Sequence, residues 1–135
     1  MSRTTRDNDR FELLVERSFV AQHYLTVPDP EPPEGEVHSH RFTVELLLAG
    51  DSLGEYNYLV NINDLVDLLD DIERRYRDAV LNDLPEFAGE NPSVERFARV
   101  LSDRVREKLS ADRVDSLQVR IWEDDLARAS HETEL

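Results

Sequence analysis

The 135-residue chain contains no cysteine, one methionine, one tryptophan and four glycines. The missing cysteine excludes disulfides, thiolate metal ligands and thiol nucleophiles together. Positive charge is scarce in kind as well as in number. Lys108 is the single lysine beside fifteen arginines, against 30 acidic residues, and the formal net charge is −14. A field of that sign repels a phosphate backbone, so no nucleic-acid partner is expected. No apolar run approaches the ~20 residues of a membrane span, and the first residues have no signal-peptide pattern. A cytoplasmic protein with no membrane partner is expected. An acidic surplus with almost no lysine fits adaptation to high salt, where hydrated carboxylates keep a protein soluble. The alternative is an ordinary acidic protein.

What is present suffices for one modest core. Hydrophobic residues make up 39% of the chain, too many for a wholly disordered acidic chain, and the length is that of one domain. Residues 1–9 are polar and read as a flexible N-terminus, which leaves 10–135 as a single domain. Phe11, Leu13, Val15, Phe19, Ala21 and His23 share odd parity, the period-two signature of a strand over 10–25. Residues 27–36 carry Pro28, Pro30, Pro32, Pro33 and Gly35 among acids and read as a mobile loop. A second strand begins at His38, with His40, Phe42, Val44, Leu46 and Leu48 on one face.

After a break at Gly50–Gly54, a short extended stretch, Tyr56–Asn61, leads into a helix. Its stripe is Leu65, Leu68, Leu69, Ile72, Tyr76 and Ala79, with Asn61 or Asn63 as N-cap. A second helix starts at Asn91-Pro92-Ser93, with Asn91 as N-cap and Pro92 in the first helical position. Val94, Phe97, Ala98, Leu101, Val105 and Leu109 form its stripe. A third strand carries Leu117, Val119, Ile121 and Glu123 on one face, and a short fourth runs over 127–132. The order β-β-α-α-β-β predicts an α+β domain: a four-stranded antiparallel sheet with two helices on one face.

Three of the four histidines form a pattern. His38 and His40 are two apart on a strand, so both side chains leave on the same, apolar side. His23 ends the preceding strand on its apolar face. An antiparallel hairpin across 24–37 brings the three imidazoles together, which fits a zinc site with three protein ligands and one open position. The alternative is a buried polar cluster joined by water. Glu123 ends an apolar row, where a carboxylate is costly to bury unless paired. Either it grips a ligand presenting two adjacent N–H donors, or the strand ends at Trp122 and Glu123 is solvated.

Together these features resemble the 6-pyruvoyl-tetrahydropterin synthase and 6-carboxytetrahydropterin synthase family, of the tunnelling fold, over Phe11 to His131. Phe19-Val20-Ala21-Gln22-His23 looks like the family's first zinc histidine in its Phe-x-Ala-x-His context. His38-Ser39-His40 is similar to its His-Gly-His pair, and Asn61-Ile62 to its Asp-Phe segment. Leu81-Asn82 matches its Leu-Asn step. Asn91-Pro92-Ser93-Val94-Glu95 resembles the Asn-Pro-Thr-x-Glu helix start, which makes Ser93 and Glu95 candidate substrate-binding residues. Glu123-Asp124 resembles the Glu-Thr pterin anchor.

The resemblance implies a zinc-dependent lyase or synthase acting on the side chain of 7,8-dihydroneopterin triphosphate. Zinc would be held by His23, His38 and His40 and would act as a Lewis acid. It also implies a homo-oligomer, a trimer or hexamer, with sites between subunits. The family's general base is a cysteine four residues before the histidine pair, and here that position is Glu34. Its Asp-His dyad falls on Arg77 and Asp78. Glu34 and Asp78 are therefore the candidate catalytic residues, with Glu36 and His131 as alternatives. Some relatives with a glutamate near the cysteine position cleave the side chain toward 6-hydroxymethyl-dihydropterin, so an aldolase-like reaction is one alternative. Further alternatives are a non-catalytic pterin- or purine-binding paralogue, and an interaction subunit whose histidines are merely buried. Arg41 or Arg77 would give a local positive spot for an anionic substrate.

Overall fold

The structure is a computed structural model that describes residues 8–135. Of the expected flexible N-terminus, residues 1–7 lie outside the described residues. Period-two alternation becomes two long strands, β1 (Phe11–His23) and β2 (His38–Gly50). They pair antiparallel without interruption from Phe11↔Gly50 to His23↔His38. Two helices follow, α1 (Ile62–Tyr76) and α2 (Val94–Lys108), then strands β3 (Ser116–Glu123) and β4 (Ala127–Glu134). The sheet order is β1-β2-β3-β4, antiparallel throughout.

Both helices cover the same face of the sheet. Phe42, Val44, Leu46 and Leu48 of β2 and Leu117, Val119 and Ile121 of β3 are buried in one cluster with the stripes of α1 and α2. Phe97 of α2 lies at the centre of that layer. Its ring centroid is 5.3 Å from Phe42, 5.2 Å from Tyr76 and 5.7 Å from Phe87. These are tilted and edge-to-face contacts of the kind aromatic quadrupoles favour. Glycine is used where space demands it: a Cβ on Gly50 would overlap the Arg113 carbonyl.

Three local expectations are corrected. The cap of α2 is Ser93, whose Oγ accepts the Arg96 N–H at 3.1 Å. Asn91 and Pro92 precede the helix, because the Asn91 side chain is drawn instead to the Thr26 N–H at 2.8 Å. Ala79 is not part of the α1 stripe. The helix ends at Tyr76, Asp78 takes φ +59°, and residues 78–80 turn back along the β1 edge through Asp78 N–H to Val20 O and Gln22 N–H to Ala79 O. The stretch Tyr56–Asn61 is a set of turns closed by Gly54 N–H to Tyr58 O, with Asn57 at φ +66°. At α1 the choice between caps falls to Asn61, whose side chain accepts the Asn63 N–H.

Candidate metal centre

Cross-strand register builds the site. His23 lies directly opposite His38, and His40 opposite Ala21. All three side chains leave on the helix-covered face. The ring centroids are 4.7 Å (His23–His38), 5.1 Å (His23–His40) and 4.8 Å (His38–His40) apart. One ring nitrogen from each lies within 4.8 Å of the others, so a small closure brings them to one ion at the ~2.0–2.1 Å typical of zinc–imidazole bonds. His23 is 2% exposed and the other two are partly buried.

The hydrogen bonds behind the rings fix their tautomers. His23 Nδ1 meets the Pro92 carbonyl at 2.9 Å, His38 Nδ1 the Glu36 carbonyl at 2.7 Å, and His40 Nδ1 the Asp124 carboxylate Oδ2 at 2.7 Å. Carbonyls and carboxylates only accept, so each Nδ1 carries a proton, and Nε2 is the nitrogen that the neutral ring offers to a metal. Desolvation pushes the pKa of His23 down to about 4, against the opposing Pro92 hydrogen bond, which leaves that ring neutral at neutral pH. Three imidazoles whose Nδ1 atoms are anchored on oxygens and whose Nε2 atoms are left for an ion are the donor set of a metal-binding triad. The residues present therefore fit zinc.

Glu123 is the last residue of β3 and continues its inward row. Its Oε1 is 3.5 Å from His40 Nε2, and its side chain is 21% exposed. The strand therefore does not end at Trp122, and the partly buried Glu123 carboxylate borders the triad. Asp124 follows at φ +51°. The Arg41 amide first, then the His40 ring, hold its carboxyl below the ordinary aspartate range.

Two asparagines fasten the chain just beyond His23. Asn82 Oδ1 accepts the Tyr24 N–H at 3.0 Å, and its Nδ2 donates to Tyr24 O at 2.9 Å. Asn91 takes the Thr26 N–H. The loop 24–37 is closed on itself by Leu25 N–H to Glu34 O and Glu36 N–H to Pro33 O.

Among the described residues, no side chain of the remaining candidates has a hydrogen bond or ion pair to the three histidines. The Glu34 side chain is exposed, and among the described residues no hydrogen bond or ion pair joins it to the histidines. Glu36 contributes its backbone carbonyl rather than its carboxylate. The Ser93 hydroxyl caps α2, and Glu95 is exposed on the first turn. Asp78 lies at the β1 edge, its carboxylate 74% exposed and 3.8 Å from Arg77 Nε. Arg41 and Arg77 do share a cleft of about 420 Å³ with Asp78 and Glu73, where Arg77 is also 3.5 Å from Glu73. His131 stands opposite Val119 on β4, four positions along the strand from Ala127, the partner of Glu123. Pro92, Asn82 and Asp124 were not read from the sequence as parts of the centre. The available signal was their place in the motifs Leu81-Asn82, Asn91-Pro92-Ser93-Val94-Glu95 and Glu123-Asp124 that carry the family resemblance.

The model of 6-pyruvoyl tetrahydropterin synthase matches residues 12–134. The chain belongs to the 6-pyruvoyl tetrahydropterin synthase family. Within that family the sequence is divergent. It is 30% identical over 103 residues to 6-carboxy-5,6,7,8-tetrahydropterin synthase of Bacillus subtilis (strain 168), covering 71% of this chain and 66% of that enzyme. It is 25% identical over 111 residues to dihydroneopterin monophosphate aldolase of Pyrococcus furiosus, covering 82% and 88%. The fold matches Plasmodium vivax 6-pyruvoyl tetrahydropterin synthase with a TM-score of 0.79 at 15% identity, over 95% of this chain and all of that one. That enzyme has also been solved with a glutamate, described as a catalytic residue, changed to cysteine or alanine. The family fold is therefore the four-stranded sheet and helix pair described above.

Proposed function

We propose that this chain is a zinc-dependent enzyme acting on the side chain of a 7,8-dihydroneopterin phosphate. The observation that carries the reading is the triad of His23, His38 and His40 with every Nδ1 bonded to an oxygen, bordered by the inward Glu123. Zinc bound there supplies Lewis-acid polarisation of side-chain hydroxyls. The three histidines hold it through Nε2. Glu123 anchors the pterin, its two carboxylate oxygens accepting the adjacent N–H groups of the aminopyrimidine edge. Its contact with His40 ends when that nitrogen ligates a metal, which returns the carboxylate to the substrate. Ser93 and Glu95 complete the binding side, next to the Pro92 carbonyl that grips His23.

Proton transfer falls first to Glu34, on a loop whose Glu36 carbonyl is already fastened to His38. A carboxylate works as a base here once burial against substrate raises its pKa toward the working pH. Asp78, exposed at the β1 edge, acts across a subunit boundary in the homo-oligomer, a trimer or hexamer, that we infer with this reading.

A cysteine-free chain with glutamate at the base position favours cleavage to 6-hydroxymethyl-dihydropterin over the synthase reaction. A monophosphate substrate also carries less negative charge toward a chain of net charge −14 than a triphosphate does. Zinc-loaded protein incubated separately with dihydroneopterin monophosphate and triphosphate decides the matter by product mass. The expected product is 6-hydroxymethyl-dihydropterin. A 6-pyruvoyl or 6-carboxy product assigns the synthase reaction instead, and unchanged substrate on zinc-loaded protein means a non-catalytic pterin-binding paralogue.

A further inference from the structure

We propose that Asp124 is the positioning residue of the metal centre, fixing the ring and tautomer of His40 and strengthening it as a ligand. The inference rests on reading the histidine triad as a metal site. Of the three Nδ1 partners, two are backbone carbonyls and only Asp124 is a charged side chain. A carboxylate behind a ligating histidine raises the basicity of the metal-facing nitrogen as well as orienting the ring.

Asp124 is itself held from several sides. Its Oδ1 accepts the Arg41 N–H at 2.9 Å, and its own N–H donates to Arg41 O at 2.8 Å. Its φ of +51° is a conformation that Asp and Asn tolerate better than most side chains, and β-branched residues poorly. Backbone pairing alone does not account for the carboxylate, because Oδ1 satisfies the Arg41 amide on β2 and Oδ2 is spent on His40.

This division of labour gives a discriminating variant. In Asp124→Asn the Arg41 amide keeps its acceptor oxygen and the turn its permitted backbone. The side-chain nitrogen, however, now faces His40 Nδ1 with donors. That arrangement favours the tautomer protonated at Nε2, whose lone pair lies on Nδ1 and leaves none on the nitrogen facing the metal. Nitrogen-15 NMR of the metal-free protein at mildly alkaline pH reads the tautomer, and competition with a chromophoric chelator reads the zinc affinity. We expect His40 to change from the Nδ1–H to the Nε2–H form while His23 and His38 keep theirs, and zinc affinity to fall about 10–100-fold. Asp124→Gly keeps the backbone conformation and removes both oxygens, so His40 should become a tautomer mixture with weaker zinc binding. It carries the same two readouts if the asparagine variant does not fold. An unchanged His40 tautomer in a folded variant overturns the proposal, whatever happens to zinc. If the wild-type protein binds no zinc, the metal reading fails, while the tautomer measurement still decides whether Asp124 governs His40.

Discussion

The Nδ1 of His23, at the end of β1, donates to the carbonyl oxygen of Pro92, 69 residues away and directly before the cap of α2, at 2.9 Å. The bond joins the most buried member of the triad to the start of the second helix. It also makes the histidine triad and the helix–sheet packing a single construction, since the ring of His23 lies 6.0 Å from that of Phe42, which in turn packs on Phe97.

The burial of His23 makes the metal-free protein acid-sensitive. Its folded-state pKa is pushed down to about 4 from 6.5, so the unfolded chain takes up the proton first as the pH falls. The corresponding stability is complete above about pH 6.5 and is lost as the pH drops toward about 4, by roughly 3 kcal/mol at most. Urea unfolding of metal-free protein across that window should show the slope, and His23→Gln should flatten it. An equal slope in the variant would assign the acid sensitivity to other groups.

Zinc binding should follow the triad and not the histidine count. His38→Ala and His40→Ala are expected to lose stoichiometric zinc, measured by atomic emission on purified protein. His131→Ala, on β4 opposite Val119, should retain one zinc per chain. Loss of zinc from the His131 variant would place a ligand outside the hairpin.

Glu34→Gln separates base from ligand. Its side chain is exposed and, among the described residues, makes no hydrogen bond or ion pair to the histidines, so zinc content should be unchanged. Turnover, followed by product mass spectrometry, should fall at least about 100-fold, the scale of a lost general base. Wild-type turnover in this variant would move the role to Glu36 or Asp78.

The asparagine clamp behind the site should matter for both stability and metal. Asn82→Ala removes two hydrogen bonds to Tyr24, next to His23. A cost of about 1–3 kcal/mol in chemical unfolding is expected, together with weaker zinc binding because the ring of His23 loses its fixed backbone. Unaltered zinc affinity would show that the Pro92 carbonyl alone fixes that ring.

A second acid-sensitive element is independent of the metal. Glu86 takes both nitrogens of the Arg75 fork at 2.6 Å and the hydroxyl of the fully buried Tyr76 at 2.8 Å. The Arg75 guanidinium pulls its carboxyl down to about 2 from 4.5. Its contribution is therefore present above about pH 4.5 and lost as the pH falls toward about 2. Glu86→Gln should destabilise the protein by roughly 1–2 kcal/mol at neutral pH, read as a lower melting temperature, and should leave zinc binding intact.

Much of this was readable in the chain. Strict odd and even parity in β1 and β2 fixed which side chains face the helices, because a strand alternates with a period of two and a one-residue slip would expose the whole set. A hairpin across 24–37 then leaves His23 opposite His38 with little freedom. The helical stripes were equally legible from Leu65 to Tyr76 and from Phe97 to Val105. Boundaries were less so. Asn91 resembles a cap in every local respect, and it fails to be one only because Thr26, 65 residues away, competes for its oxygen.

The sequence by itself therefore determined the residue types of the triad and the face they share, and by lacking cysteine it excluded a thiol base. Only the tertiary structure decided which nitrogen of each histidine is free. That choice is made by the carbonyls of Glu36 and Pro92 and the carboxylate of Asp124, the last two brought to the rings from 69 and 84 residues away. A backbone carbonyl is present at every residue and leaves no mark in a sequence. Its role appears only when folding aims it at a ring.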